Sequence, residues 1–410
     1  MAHSHPRLTR GGAEISAYAL FHGLQQAGAE AWFLGCATQQ KNVRLGSNLT
    51  QPFGPRDYVY QPNVPIDHFK FANRDPEFPA AIAELVAELR PDIVHAHHYT
   101  ELGVELFSII KRASPGTRVV VSLHEYLAIC NHYGQMIKTK GSRLCDRESP
   151  IDCAGCFPQR APRDFFLRKR YIQAFFQDID LFVSPSRFLA ERYIAWGLPA
   201  DRLRVLENMP PVAPAAAARP PAPDRPLQIG FFGQMSPLKG IMVLIDAAAE
   251  LAAQEVKNVE IVIYGDYSNQ PPEFQEAIIA GLAKAGANVT YQGPYENTRV
   301  HALMHMVDAV VVPSIWWENS PVVIQEALAN GKPVICSNIG GMAEKVRPGI
   351  DGLHFEVGRA LDLARVLQDL ARAPQRLAAL SASLGRPIST EAAVTAHLGL
   401  YEQARRNLTC

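Results

Sequence analysis

Apolar residues along this chain fall into two alternating patterns. Short, nearly unbroken apolar runs are separated by longer stretches in which apolar residues recur every three or four positions. In the first half the runs are EAWFLGC (30–36), DIVHAHH (92–98), RVVVSLH (118–124) and DLFVSPS (180–186). In the second half they are LQIGFFG (227–233), VEIVIYG (259–265), NVTYQG (288–293), DAVVVPS (308–314) and PVICSN (333–338). A strand with one wet face alternates apolar and polar residues, whereas a continuous run is buried on both faces, as in a parallel sheet covered by helices. The pattern therefore predicts α/β architecture with two doubly wound units. Between them, MPPVAPAAAARPPAPDRP (209–226) has no periodic apolar face. Its prolines remove N–H donors and push their predecessors to extended forms, which predicts a linker. The expected organisation is a first domain over 1–208, a second over 227–385, and a closing helix within 386–410 that packs back on the first.

Ligands of doubly wound sheets bind beyond the carboxyl ends of the strands. Several runs end there in polar residues or glycine: His97 and His98, His124, Ser184 and Ser186, Gly233, Gly265 and Ser314. Turns also favour Gly and Ser, so position alone does not make these a site. One irregularity stands at the start. RGGAEISAYALFHGLQQAG (10–28) reads as a glycine loop feeding an amphipathic helix, with Ile15, Leu20 and Leu24 among its apolar positions. A strand ordinarily precedes such a loop, yet only ten mostly polar residues precede Gly11. The expectation is a first strand that is missing or begins upstream, which leaves its neighbours with unpaired edges.

Composition narrows the function classes. Of 410 residues, 48% are hydrophobic and 20% charged, with 40 Lys and Arg against 40 Asp and Glu. That balance is globular and gives no overall attraction to nucleic acid. No apolar run approaches the ~18 residues of a membrane span. MAHSHPRLTRGGAE lacks the apolar core of a secretory signal, so the expectation is a cytoplasmic protein. The sequons at Asn48, Asn288 and Asn407 then read as chance matches. Seven cysteines stand at 36, 130, 145, 153, 156, 336 and 410, four of them within 130–156, unlike a disulfide-stapled secreted domain.

The richest stretch is PSIWWENSPVVIQEALANGKPV (313–334). Ser320 suits a helix cap, Pro321 the first helical position, and Gly331 the residue just past the end. Glu318 then lies in the loop, and Glu326 lies about 9 Å along the helix. The free N–H groups of Val322 and Val323 point out of the helix start, where the dipole favours anions. A ligand with hydroxyls near Glu318, phosphate at the helix start and a diol near Glu326 satisfies all three, and a nucleotide-sugar is such a ligand. The plainer reading is a loop acid and a solvated helix acid. Upstream, GFFGQMSPLKG (230–240) offers Gly233 for close backbone approach and Lys239 as a point charge for phosphate. Alone, that pairing is a weak signal.

GFFGQMSPLKG, VEIVIYGD, the span from VTYQGPYENTRV through GIDGLHF, and the amino-terminal RGGAE resemble glycosyltransferase family 4, retaining enzymes of the GT-B fold. The likeness covers nearly the whole chain and is strongest over 227–357. It implies two doubly wound, Rossmann-like domains with an interdomain cleft. Carried over by position, Glu318 contacts hydroxyls of the donor sugar, and Asn319, Ser320 and the amides of Val322 and Val323 hold sugar and diphosphate. Glu326 binds the ribose diol, and Lys239 binds the diphosphate and stabilises the leaving group. Family members commonly carry Arg beside the first glycine, Gly233. Here the residue is Gln234, so charge stabilisation leans on Lys239 and the helix terminus. Gly11 and Gly12 resemble the family's glycine loop, which faces the donor phosphates, and His124 matches a histidine near the reacting sugar. Catalysis in the family proceeds by front-face attack with the donor phosphate taking the proton. No D-x-D motif suits a nucleotide-bound metal. The resemblance implies a nucleotide-sugar donor, no organic cofactor, and a glycan or lipid-linked acceptor of surface polysaccharide or glycolipid synthesis.

Two stretches lie outside that pattern. CNHYGQMIKTKGSRLCDRESPIDCAGC (130–156) places Cys130, Cys145, Cys153 and Cys156 where four thiolates could close a structural zinc site. Irregular spacing leaves a redox role or no joint role as alternatives. QRAPRDFFLRKRYIQAFF (159–176) interleaves basic and aromatic residues, as in a helix on an anionic membrane surface, or one that packs its aromatics inward. Three rival functions stand beside transfer: a nucleotide-sugar epimerase of the same fold, a catalytically inactive sugar-nucleotide-binding protein, and a dinucleotide oxidoreductase. The last needs G-x-G-x-x-G, a spacing GFFGQM lacks.

Overall fold

A computed structural model describes residues 1–9, 11–37, 48–211, 225–385 and 388–406. Most of the expected linker, 212–224, lies outside these residues, as do Asn407 and Cys410. The chain divides into two compact units, Met1–Met209 with Ile388–Cys410, and Pro210–Pro387.

The first unit contains β1 (Phe33–Cys36), β2 (Leu49–Thr50), β3 (Asp57–Tyr60), β4 (Ile93–Ala96), β5 (Arg118–Ser122), β6 (Leu181–Ser184) and β7 (Leu203–Val205). They form a three-stranded sheet in the order β1-β3-β2 and a four-stranded sheet in the order β4-β5-β6-β7. All pairings are parallel except β2 with β3. The helix Thr390–Arg406 returns to this unit: Tyr401 and Ala404 pack with Val120, Leu181 and Val183, and Val394 with Leu20 and Met209. The expected gap before the glycine loop is partly bridged. Met1 and Ala2 hydrogen-bond to both β1 and β4, although no strand is assigned there.

The second unit is one parallel sheet of β8 (Leu227–Phe232), β9 (Val259–Tyr264), β10 (Val289–Gly293), β11 (Ala309–Val312), β12 (Val334–Ser337) and β13 (Gly352–Phe355). Its order is β10-β9-β8-β11-β12-β13. Alternate residues face opposite sides of a strand. Ile229 and Phe231 thus join Leu244, Ile245, Leu363 and Leu367 on one face, while Phe232 joins Val310, Ile324 and Met342 on the other. Truncating any fully buried Leu or Ile here to Ala costs about 2–5 kcal/mol. The chain winds outward from β8 to β10, then returns to β11 on the other side of β8. The topological switch point, where ligands of such sheets bind, lies between the carboxyl ends of β8 and β11.

All nine apolar runs contain strands. The sequence did not mark β2, β3, β7 and β13, because segments such as LRV and GLHF are too short and too mixed for a periodic signal.

Candidate functional site

Glycines make the switch point. The loop after β8 turns at Gly233, whose φ of 137° suits glycine and whose Cβ side is open. It then passes Gln234, which is exposed, and reaches Lys239. A Cβ on Gly240 would sit 1.8 Å from the Pro313 carbonyl oxygen, so only glycine lets this loop press against the end of β11. The Ile315 amide donates to the Leu238 carbonyl at 3.0 Å and joins the two loops.

That contact brings Lys239 to Glu318. Lys239 Nζ lies 2.6 Å from Glu318 Oε1. The same oxygen accepts from Ser314 Oγ at 2.9 Å and Trp316 Nε1 at 3.0 Å. Lys239 also sits 5.8 Å from the centroid of the Trp316 ring. Glu318 is therefore a buried carboxylate held by three donors rather than a loose loop acid, and Trp316 is one of its holders. The loop is fixed from behind as well. The Gly341 amide donates to the Glu318 carbonyl at 2.6 Å, and a Cβ on Gly341 would lie 1.8 Å from the Asn319 carbonyl oxygen.

The next helix spans Val322–Ala329. Its N-cap is Pro321, with no side-chain cap bond, which corrects the expectation that Ser320 caps and Pro321 opens the helix. The Ser320 hydroxyl instead accepts from Gln325 Nε2 at 3.0 Å. Val322 is exposed and Val323 half-buried, and their N–H groups belong to the first turn, which has no intrahelical acceptor. The helix ends as expected at Gly331, with φ 68°. Gly331 N–H bonds the Leu328 carbonyl and Lys332 N–H the Ala327 carbonyl, the paired bonds of a Schellman motif. Glu326, inside this helix, is 7% exposed, and burial pushes its carboxyl up to about 7. The Tyr295 hydroxyl is raised to about 12, mainly by burial and further by Glu326.

The remaining expected residues belong to the first unit. Gly11 is the N-cap of the helix Gly12–Gln26, and Gly12 is exposed. His124 follows β5; burial pushes it down to about 4, so it is neutral at pH 7. His97 Nδ1 lies 3.2 Å from His124 Nε2. Beside them, His98 Nε2 pairs with Glu125 Oε2 at 3.3 Å, and His3 Nε2 with Glu14 Oε1 at 2.8 Å. Sequence reasoning marked His97 and His98 as strand-end residues but not the acids that meet them. Glu125 simply follows His124, and Glu14 lies inside the glycine loop's helix.

Cys153 and Cys156 sit on the helix Pro150–Cys156, with Cys130 and Cys145 in the preceding loop. None of the four is in a disulfide, and burial pushes the Cys153 thiol up to about 11. Among the described residues, no group of three or more His, Cys, Asp and Glu side chains is arranged to hold a metal ion. Cys130, Cys145 and Cys153 are near enough for the charge of one thiol to raise the pKa of another. The basic, aromatic stretch forms the helix Pro162–Phe176. Phe165, Ile172 and Phe176 point inward, and buried Arg168 donates to the carbonyls of Phe69, Leu127 and Ala128. Arg163, Phe166, Leu167 and Arg170 remain exposed. Among the described residues, no helix is long and apolar enough to cross a membrane.

Comparison with known proteins covers nearly the whole chain. Residues 214–383 match the family described as glycosyl transferases group 1, and residues 10–209 match glycosyltransferase family 4. D-inositol 3-phosphate glycosyltransferase of Rhodococcus opacus is 37% identical over 161 residues, which is 38% of this chain and 36% of that protein. Lipopolysaccharide 1,2-N-acetylglucosaminetransferase of Salmonella typhimurium is 28% identical over 212 residues, 50% of this chain and 51% of that protein. The matched region spans 36% of the first of these curated relatives and 51% of the second. Among solved structures, Anabaena HepE in complex with UDP and glucose superposes with a TM-score of 0.64 at 18% identity, covering 100% of this chain and 98% of that one. Sucrose-phosphate synthase from Thermosynechococcus elongatus gives 0.65 at 18% identity, covering 96% and 93%. At such identities the likeness shows the fold: two Rossmann-like domains of the GT-B type.

Proposed function

Because the chain belongs to the group 1 glycosyltransferases, with an amino-terminal half of glycosyltransferase family 4, we propose that it transfers a sugar from a nucleotide-diphosphate donor to a hydroxyl of a glycan or lipid-linked acceptor. The observation that carries this reading is the Lys239–Glu318 pair, 2.6 Å apart at the switch point beside a helix start. An ammonium and a helix N-terminus suit a diphosphate, and an oriented carboxylate suits the hydroxyls of a hexose. Glu326, farther along the helix, suits a ribose diol. HepE was solved with UDP and glucose, which supports a UDP-sugar as donor.

In the proposed reaction the acceptor oxygen bonds to the anomeric carbon on the face from which the diphosphate departs. The bond from that carbon to the diphosphate oxygen breaks, the acceptor proton passes to the departing phosphate, and configuration is retained. Lys239 offsets the charge growing on that phosphate. Gln234 donates hydrogen bonds without charge, so Lys239 and the amides of Val322 and Val323 carry most of the stabilisation. Without ligand, Lys239 is paired to Glu318. Donor binding exchanges that partner for phosphate and turns Glu318 to the sugar hydroxyls. Neutral His124 serves as a sugar hydrogen-bonding group and supplies no charge.

A thermal-shift screen of nucleotide-sugars, paired with a transfer assay, tests this reading. One UDP- or GDP-hexose is expected to stabilise the wild type, and Glu326→Ala to lose that shift. Glu318→Ala is expected to keep most of the shift while transfer falls about 100-fold or more. An undiminished shift in Glu326→Ala would remove the ribose assignment. Donor epimerised without acceptor would identify the same-fold epimerase, and binding with no turnover an inactive binding protein.

A further inference from the structure

Four imidazoles stand in a row on one face of the four-stranded sheet of the first unit. β4 runs parallel to β5, with His95 opposite Val120 and Ala96 opposite Val121. Alternate residues of a strand share a face. His95 and the next residue on its side, His97, thus meet Ser122 and His124 of the neighbouring strand and its end. The helix Thr390–Arg406 adds His397 and Tyr401 to the same side. Ring centroids follow one another at 6.0 Å from His397 to His95, 4.3 Å from His95 to His97, and 5.4 Å from His97 to His124.

The row is anchored at His95 and ends at His124. His95 is held at both ring nitrogens: Nδ1 lies 2.7 Å from the Tyr401 hydroxyl and Nε2 lies 2.9 Å from Ser122 Oγ. His97 lies against that ring, tilted by 32°, and is only 4% exposed. Its Nδ1 lies 3.2 Å from Nε2 of His124, which is half-buried just past the carboxyl end of β5. Burial pushes His95 and His97 well below the usual histidine range and His124 down to about 4, so the three rings are neutral at pH 7. Between two neutral imidazoles, one nitrogen donates and the other accepts. The contact between His97 and His124 therefore admits only complementary tautomers, and the proton position on one ring dictates that on the other.

We propose that His97 is a positioning residue for His124: it fixes the plane of that ring and confines its proton to one nitrogen. This rests on the transfer reading, in which His124 meets the donor sugar. A sugar hydroxyl can donate or accept, and a ring with a fixed tautomer selects one of the two. His97 acts through His124 alone, with His95, Tyr401 and Ser122 bracing it from behind. A misplacement of about 1 Å at a reacting centre can cost about 100-fold in rate. The nucleotide, in the same reading, is gripped by Lys239, Glu326 and the start of the helix Val322–Ala329. Loosening His124 therefore slows transfer and spares nucleotide affinity.

The test compares His97→Asn, His97→Gln and His97→Leu. An Asn side chain places an amide atom near Nδ1 of the histidine it replaces, whereas Gln places one near Nε2 and Leu offers none. Transfer kinetics and UDP affinity are measured for each. His97→Gln and His97→Leu are expected to lose about 10-fold or more in kcat, with donor KM and UDP affinity within about twofold of wild type. His97→Asn is expected to recover most of that loss. A packing role predicts the opposite order, because Asn leaves the largest void of the three, and that order overturns the proposal. Two-bond 1H–15N spectra of histidine-labelled protein read the tautomer without any substrate, the His124 signals being assigned by their loss in His124→Ala. One tautomer is expected in the wild type and in His97→Asn, and a mixture in His97→Leu. Unchanged His124 signals in His97→Leu overturn the lock while leaving the transfer reading intact. Full transfer by His124→Ala removes His124 from the sugar site, and the role of His97 falls with it.

Discussion

Glu318 and Glu326 stand eight positions apart in one short stretch, yet their surroundings differ sharply. Glu318 receives Lys239, Ser314 and Trp316 on a single oxygen, so its carboxylate is oriented before any ligand arrives. Glu326 is buried, and burial alone raises its carboxyl to about 7. Its folded value lies above the ordinary glutamate range, so the folded chain binds the extra proton. The stability this contributes is fully present below that range and is lost as pH rises through about 7. Ribose hydroxyls that donate to the carboxylate favour its charged form and draw the value back down. Calorimetry of UDP binding at pH 7, in buffers of different ionisation enthalpy, is therefore expected to show release of up to about half a proton. The release should vanish in Glu326→Gln. No proton release from the wild type would separate Glu326 from the diol.

At the level of elements, close contacts set the geometry that sequence spacing alone left open. Gly240 lets the Lys239 loop touch the end of β11, and Gly341 lets a following helix seize the Glu318 loop. Both glycines were visible in the sequence, but the backbone carbonyls that demand them lie far along the chain. The helix Pro162–Phe176 makes the opposite point. Its pattern allowed either a membrane face or an inward aromatic face; Phe165 and Phe176 are buried, whereas Phe166 and Leu167 are exposed between Arg163 and Arg170. We propose that this exposed strip meets an anionic membrane surface. Flotation with vesicles rich in anionic lipid is expected to recover the wild type at low salt and to recover Phe166→Ser/Leu167→Ser several-fold less. No recovery of the wild type would end the proposal.

At the scale of the whole molecule, the second unit carries its own core on both faces of its sheet and also Lys239, Glu318 and Glu326. A polypeptide of residues 225–385 is therefore expected to unfold cooperatively and to bind UDP, more weakly than the full chain, with Glu326→Ala abolishing the binding. Calorimetric unfolding and titration check this; an unfolded fragment would show that the core depends on the rest of the chain. The sequence by itself determined the class of fold, because a parallel strand buried on both faces must be apolar along its whole length, and nine such runs were written plainly. It also determined the E-x7-E stretch and the Lys239 loop, since helix ends and glycine turns are local grammar. Only the tertiary structure decided that Lys239 and Trp316 hold Glu318, that His98 meets Glu125, and that Met1 and Ala2 hydrogen-bond to both β1 and β4. Such contacts join residues whose separation along the chain carries no period, and they exist only once packing brings the strand ends together.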